Sequence, residues 1–257
     1  HLAQGLSQRR LANTRLTLQQ QRALQLEALV TASGLRDTGI GTLASISAGV
    51  QVPLEELNRT FGLALDETPT LFLEFHGSQA SVLEQSEMVA EIAADLGGGP
   101  FAFSVKPEER SRLWQARHDA YWAQLALRPG CRGIVTDVCV PISRLAQCVA
   151  ETEADIAGSG LIGPILGHVG DGNLHCNVFP PEGKSRDLFL EETKQIKRMV
   201  HDIANELGGT FSAEHGVGRA KKADLARYGD PAKLAAMRAI KDALDPKGIM
   251  NPGAVLS

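Results

Sequence analysis

Apolar and polar residues change their period along this chain, and each change marks an element. Residues 70–76, TLFLEFH, alternate and are rich in β-formers, which predicts a strand. Residues 78–98 then repeat at helical spacing, with Ser78 as N-cap and Gly97 or Gly98 as stop. FAFSV (101–105) predicts a second strand. PEERSRLWQARHDAYWAQLAL (107–127) predicts a helix with Pro107 in its first turn and acidic residues just behind it. GIVTDVCVP (133–141) reads as one strand closed by Pro141, and a helix follows from Ser143 to about residue 160. PILGHV (164–169) and NLHCNVF (173–179) are strands around a tight Gly-Asp-Gly turn. A long helix over 185–209, a last strand GTFSA (209–213), and helices near 219–228 and 231–244 complete the pattern.

Residues 1–65 carry a weaker rhythm. LTLQQQRALQLEALV (16–30) has the spacing of an amphipathic helix, residues 31–53 are rich in Gly, Ser and Thr without a period, and LEELNRTFGL (54–63) is a short helical pattern. Strands and helices are mixed, and the one clear hairpin is antiparallel. The fold class expected is α+β: a largely antiparallel sheet covered by helices.

Composition narrows the classes of function. Of the 257 residues 43% are hydrophobic and 22% charged, enough apolar mass for a core. The net charge is −4 and no lysine or arginine block stands out, which argues against a nucleic-acid partner. No apolar run reaches membrane-spanning length. The four cysteines (Cys131, Cys139, Cys148, Cys176) include no CxxC pair, so free thiols are expected rather than a thiolate zinc site or a disulfide framework. The chain opens on His1 rather than methionine, which we read as the mark of a fragment or a processed piece.

The chemistry concentrates in GHVGDGNLHCNVF, residues 167–179. With 170–173 as the loop, His168 faces His175 across the hairpin, and opposed residues on one face sit about 5 Å apart. Asn177 falls on the same face as His175, while Leu174, Cys176 and Val178 point to the core. Two imidazoles so placed can grip a metal ion, but an exposed hairpin can carry them by chance, and a metal needs a third ligand. TFSAEHGVGRAKK (210–222) offers one: Glu214 completes a His-His-Glu set suited to zinc or manganese, and His215 then sits beside it as a candidate base. On the helix over 107–127, Arg117 and Tyr121 are four apart and share a face with Trp114. A guanidinium with a phenol suits a carboxylate, but the same residues also read as a surface arginine beside a half-buried aromatic pair.

Taken together, TLFLEFHGS, the stretch RLWQARHDAYWAQLALRPGCRGIVTDVCVPISRL, GHVGDGNLHC, EHGVG and LDPKGIMNPG resemble the C-terminal part of FAD-dependent D-lactate dehydrogenases. These flavoproteins belong to the vanillyl-alcohol-oxidase-type superfamily, alongside D-2-hydroxyglutarate dehydrogenase and a subunit of glycolate oxidase. The likeness covers residues 54–257, a substrate or cap domain with a C-terminal tail, and leaves 1–53 as a poorly matching junction, partly helical by its spacing. It implies His168, His175 and Glu214 as ligands of a divalent metal (zinc or manganese), His215 as the base, and Arg117 as the holder of the substrate carboxylate. It places Tyr121, Trp114 and Asn177 with the substrate and Asn251 with the cofactor. It further implies a small 2-hydroxy acid as substrate, FAD held mainly by an N-terminal domain, and an electron acceptor such as cytochrome c or a quinone pathway. The setting implied is the bacterial cytoplasm or a mitochondrion.

Three departures bear on these expectations. Asn177 stands where lactate-type members carry an apolar residue and hydroxyglutarate-type members carry asparagine; Val135 stands where the latter carry lysine; Ala254 stands where the family usually has lysine. No Gly-rich pyrophosphate loop is present in the sequence, so this chain on its own is expected to be inactive. Two other readings use the same site: a metal-dependent hydrolase that needs no flavin, and a non-catalytic metal-binding module.

Overall fold

A computed structural model describes residues 43–44, 70–71, 73, 75, 77–95, 104, 106–181, 183 and 186–256. The helical stretches expected over 16–30 and 54–63, and nearly all of the strand expected over 101–105, lie outside the described residues. Strand β1 (Leu43–Ala44) pairs antiparallel with β2 (Thr70–Leu71). Of the strand expected over 70–76, Thr70 and Leu71 form β2, and the described residues Leu73 and Phe75 lie outside it.

Helix α1 (Gln79–Asp95) starts behind Ser78, whose Oγ accepts from the amide of Ser81 at 3.3 Å, the N-cap bond its sequence predicts. Helix α2 (Pro107–Ala126) has proline in its first turn, where the missing N–H costs no hydrogen bond, and Glu108 and Glu109 at its positive end.

The four-stranded sheet is built on one central strand. β3 (Ile134–Val135) and β4 (Val138–Cys139) both pair antiparallel with β6 (Asn173–Val178), whose other edge takes β5 (Ile165–His168). Ile134 lies opposite Val178 and Val138 opposite Leu174, so β3 and β4 keep a single register. The strand expected over 133–141 is therefore interrupted at Thr136 and Asp137 without any bulge. Helix α3 (Ile142–Ser159), stopped by left-handed Gly160, and helix α4 (Arg186–Glu206) cover one face of this sheet. Val138, Leu174, Cys176 and Val178 pack there against Leu145 and Cys148 of α3 and Ile196, Val200 and Ile203 of α4. Each of these side chains is almost fully removed from water, which stabilises the fold by about 1.5–3 kcal/mol per large aliphatic residue. The four cysteines are free, as their spacing predicts.

The strand expected over 209–213 is not a strand. Thr210 alone bridges Cys139, through bonds of 3.1 and 2.7 Å. Past it the backbone amides turn to a side-chain carboxylate instead of a ladder. Helices α5 (Lys222–Tyr228) and α6 (Pro231–Leu244) follow, α6 capped by Asp230, whose Oδ1 accepts from the amide of Lys233 at 2.9 Å. The C-terminal tail returns to the loop before α5: Val255 N donates to Gly218 O at 2.7 Å, and Arg219 Nη2 to Pro252 O at 3.2 Å.

Candidate metal and substrate site

The sheet face turned away from α3 and α4 carries the candidate chemistry. Alternation puts Asn173, His175 and Asn177 of β6 on it, with Val135, Asp137 and Cys139 from the interrupted strand and Leu166 and His168 from β5. The hairpin register corrects the expected pairing. His168 lies opposite Asn173 and His175 opposite Leu166, so the two histidines are diagonal neighbours rather than a facing pair. A single turn of 3-10 helix, Val169–Asp171, with Gly172 behind it, closes the hairpin one residue earlier than the sequence suggests. The resulting shift of two keeps both imidazoles on one face, because side chains alternate with period two. Gly172 has φ +73° and its built Cβ would sit 2.0 Å from Val140 O, so no other residue fits there.

His168, His175 and Glu214 converge as the sequence suggests. Their ligand atoms lie within 4.8 Å of one another. His168 Nε2 is 3.3 Å from Glu214 Oε1 and His175 Nε2 is 3.7 Å from Glu214 Oε2, while the two imidazoles meet edge to face at 6.4 Å. Donors bound to one tetrahedral zinc ion at ordinary bond lengths are about 3.4 Å apart, so this set fits a shared ion. His215 stacks on His175 with ring centres 5.2 Å apart and planes 12° from parallel, and both Glu214 and His215 are exposed.

His175 is held in one tautomer. Its Nδ1 is 3.1 Å from the carbonyl oxygen of Thr136; a carbonyl only accepts, so Nδ1 carries the hydrogen and Nε2 is left with its lone pair. Burial lowers the pKa of His175 below the ordinary histidine value, against the pull of the Thr136 carbonyl and of Asp137 and Glu214, which favours the neutral, ligating form. The interruption between β3 and β4 follows from the same contacts. The Thr136 carbonyl serves the His175 ring, and the Thr136 hydroxyl accepts from Cys176 N at 2.8 Å in its place.

Asp137 is the residue that the sequence reading missed. It lies opposite His175 in register, its Oδ1 3.9 Å from His175 Nδ1, and its side chain is fully buried. Its Oδ2 accepts from Lys221 Nζ at 2.8 Å, His215 N at 3.0 Å and Ala213 N at 3.2 Å, with Ser212 Oγ 3.4 Å away. Its Oδ1 accepts from Glu214 N at 3.1 Å and Asn173 Nδ2 at 3.4 Å. Burial works against its ionisation, but Lys221 and the amides of Glu214 and His215 outweigh it and hold the carboxyl well below the usual carboxylate range. Asp137, His175 and His215 also lie close enough to form a ligand triad. Five donors already fill the Asp137 oxygens, about four lone-pair sites in all, so the triad with Glu214 is the one better placed to offer ligand atoms. The signal in the sequence was an aspartate inside the otherwise apolar strand GIVTDVCVP.

The remaining expected residues are spread around this centre. Asn177 is buried; its Nδ2 donates to Gln124 of α2 and its Oδ1 has no hydrogen-bond partner among the described residues. That contact brings α2 to the histidine face, and position 117 lies two turns before Gln124 on the same helix. Tyr121 is exposed, packed edge to face on Trp122 at 5.4 Å, and Trp114 is half-buried. Asn251 sits in a tail turn at φ 45°, exposed and away from regular structure. Val135 lies directly opposite Asn177.

Comparison with known proteins fits this geometry into a wider set. The chain is 46% identical over 212 residues to a protein of Danio rerio named probable D-lactate dehydrogenase, mitochondrial, covering 80% of this chain and 41% of that one. It is 35% identical over 255 residues to D-lactate dehydrogenase [cytochrome], mitochondrial, of Arabidopsis thaliana, covering 95% of this chain and 44% of that one. The chain thus spans about two fifths of the length of these relatives. Among solved structures it is similar to 4-ethylphenol oxidase from Gulosibacter chungangensis, with a TM-score of 0.59 at 18% identity over 91% of this chain and 50% of that one, a likeness of fold. The family described as FAD linked oxidases, C-terminal domain, matches residues 25–255, the stretch that holds both histidines, Asp137 and the Glu214 loop, and the chain belongs to that family.

Proposed function

We propose that this chain supplies the substrate side of an enzyme that oxidises a D-2-hydroxy acid, D-lactate foremost, to the 2-oxo acid with transfer of hydride to FAD. The observation that carries this reading is the convergence of His168, His175 and Glu214 beside the exposed His215. The donor set, with His175 fixed as an Nε2 ligand, suits a divalent cation, zinc or manganese. When bound, the ion supplies Lewis acidity toward the substrate hydroxyl and the flavin supplies the hydride acceptor.

The chain's own residues do the rest. His168, His175 and Glu214 would hold the ion. His215 takes the hydroxyl proton; its backbone is pinned to Asp137 while its ring faces solvent. Arg117 binds the substrate carboxylate from α2, with Tyr121 and Trp114 on the same helix stripe. Asn251 contributes from the tail toward the flavin. Residues 54–257 form the substrate domain and 1–53 a junction to the rest of the protein. The names of the relatives favour a cytochrome as the electron acceptor and a mitochondrial setting over the bacterial cytoplasm. No helix among the described residues is long and apolar enough to cross a membrane.

Val135 sets the substrate class. It faces Asn177, one of whose two amide hydrogens is given to Gln124, so a second carboxylate there would meet at most a neutral amide donor and not the cation that a lysine at 135 would supply. Desolvating that carboxylate without a cation costs about 2 kcal/mol or more. The test is kcat/KM for D-lactate against D-2-hydroxyglutarate in the flavin-loaded whole protein. Preference for D-lactate is expected, and preference for hydroxyglutarate overturns the assignment.

A further inference from the structure

We propose that Asp137 is the positioning residue that holds Glu214 and His215 in place, with buried Lys221 as its counter-charge; this rests on the metal reading of the His168, His175 and Glu214 set.

Residues 212–216 belong to no helix or strand, and both Glu214 and His215 are exposed. Such a segment usually has many conformations open to it, yet here two adjacent side chains must reach two different partners. The restraint comes from one carboxylate. Three successive backbone amides, those of Ala213, Glu214 and His215, converge on Asp137 at 3.2, 3.1 and 3.0 Å. Successive amides turned to one side form a nest for an anion, and here the anion is a side chain of the protein itself. Ser212 Oγ tightens the same turn by donating to Gly216 O at 2.9 Å, and Lys221 Nζ reaches both Asp137 and Ser212 Oγ, at 2.8 and 2.9 Å. Asp137 stands opposite His175 in the sheet, so one residue fixes the loop-borne part of the site to the strand-borne part.

The position of the charge is what makes this assignment specific. A carboxylate buried solely for stability has no need to collect the amides of the two residues that carry the site. The ion pair with Lys221 offsets the burial of Asp137, and the amides bring the loop into register with His175.

The test uses the whole protein with Asp137→Asn, which keeps the shape and removes the charge. Hydrogen exchange of a peptide spanning 211–217 and calorimetric titration with zinc and with manganese are both read. Exchange at 213–215 is expected to quicken at least about 10-fold while the Cys176 region is unchanged, and metal affinity to fall about 10- to 100-fold, the usual loss when an outer partner of a metal site is removed. Unchanged exchange, or quickened exchange with wild-type metal affinity, overturns the proposal. If Asp137→Asn fails to fold, Asp137→Glu keeps the charge and the Lys221 pair but displaces the oxygens by one methylene. The same two measurements are then made on Asp137→Glu, and the same outcomes support or overturn the proposal. A wild-type protein that takes up neither metal sinks the ligand assignment instead; the exchange result then decides alone whether Asp137 holds the loop.

Discussion

The two halves of the candidate site are made in opposite ways. His168 and His175 stand on paired strands whose other face is closed by α3 and α4, so the core that stabilises the sheet also aims the imidazoles. Glu214 and His215 stand on an exposed loop without a ladder, and their backbone is fixed by a carboxylate reaching out from the sheet. The first half is positioned by burial and register, the second by charge. A candidate site divided this way has a buried wall on one side and an exposed edge on the other.

Two glycines probe that difference most severely. Gly172 and Gly216 both adopt left-handed backbone, at φ +73° and +65°. An added methyl at 172 meets Val140 O at 2.0 Å, whereas at 216 nothing among the described residues lies within 4 Å. Gly172→Ala should prevent folding or cost more than about 4 kcal/mol, while Gly216→Ala should cost about 1–2 kcal/mol, the ordinary penalty of left-handed backbone. Urea unfolding of the two variants checks this, and similar losses would erase the distinction between wall and edge.

Acid should act on the buried half. His201 of α4 is fully buried, neither ring nitrogen makes a hydrogen bond among the described residues, and Asp224 Oδ1 lies 3.5 Å away. Burial pushes its pKa down to about 4, and Asp224 at that distance does not restore it. Above the ordinary value of about 6.5 the ring is neutral folded or unfolded; below it the unfolded chain takes up the proton first, so stability falls as pH drops from about 6.5 through about 4, by about 3 kcal/mol in all. The lowered pKa of His175 acts with the same sign. Unfolding free energy measured across that range should show the decline, and His201→Phe should flatten most of it.

The ligands themselves should separate metal uptake from stability. His175→Ala and Glu214→Ala are each expected to abolish uptake of zinc or manganese. His175→Ala also strands the Thr136 carbonyl in a buried place and should cost about 2 kcal/mol of stability. Glu214 is exposed, and its removal should change stability by less than about 0.5 kcal/mol. Metal content measured beside thermal unfolding tests both; full metal content in either variant means that residue is not a ligand.

How much of this was legible depends on whether a feature is local. The helices and the hairpin follow from period and caps, and the His168, His175 and Glu214 set from spacing along strands and a Gly-rich turn. The hairpin register slipped by two because the Val169–Asp171 turn is a 3-10 helix, a choice its sequence does not announce. The face survived that slip because two is the strand period. Thr136 and Asp137 were read as ordinary strand residues: their partners lie 36 to 84 positions away, at Asn173, His175, the 212–215 loop and Lys221, and no local pattern reports such contacts. The loop over 209–213 was read as a strand for the same reason: past the single bridge at Thr210, the amide of Ser212 turns to Thr210 Oγ1 and that of Ala213 to Asp137.

The unbroken register through β3 and β4 also limits how this sequence can vary over time. Substitution within 134–139 leaves the alternation intact, but gain or loss of one residue does not. A single insertion between Val135 and Asp137 would keep β4 in place only by moving the Val135 side to the core; an insertion after Asp137 would turn the carboxylate itself inward, against α3 and α4. Either change places the wrong chemistry on both faces at once. Length in this segment is therefore under tighter selection than identity, and variants of this domain should differ here by replacement, with insertions confined to loops such as the turn at Gly160, which is exposed and has no described residue within 4 Å of an added Cβ.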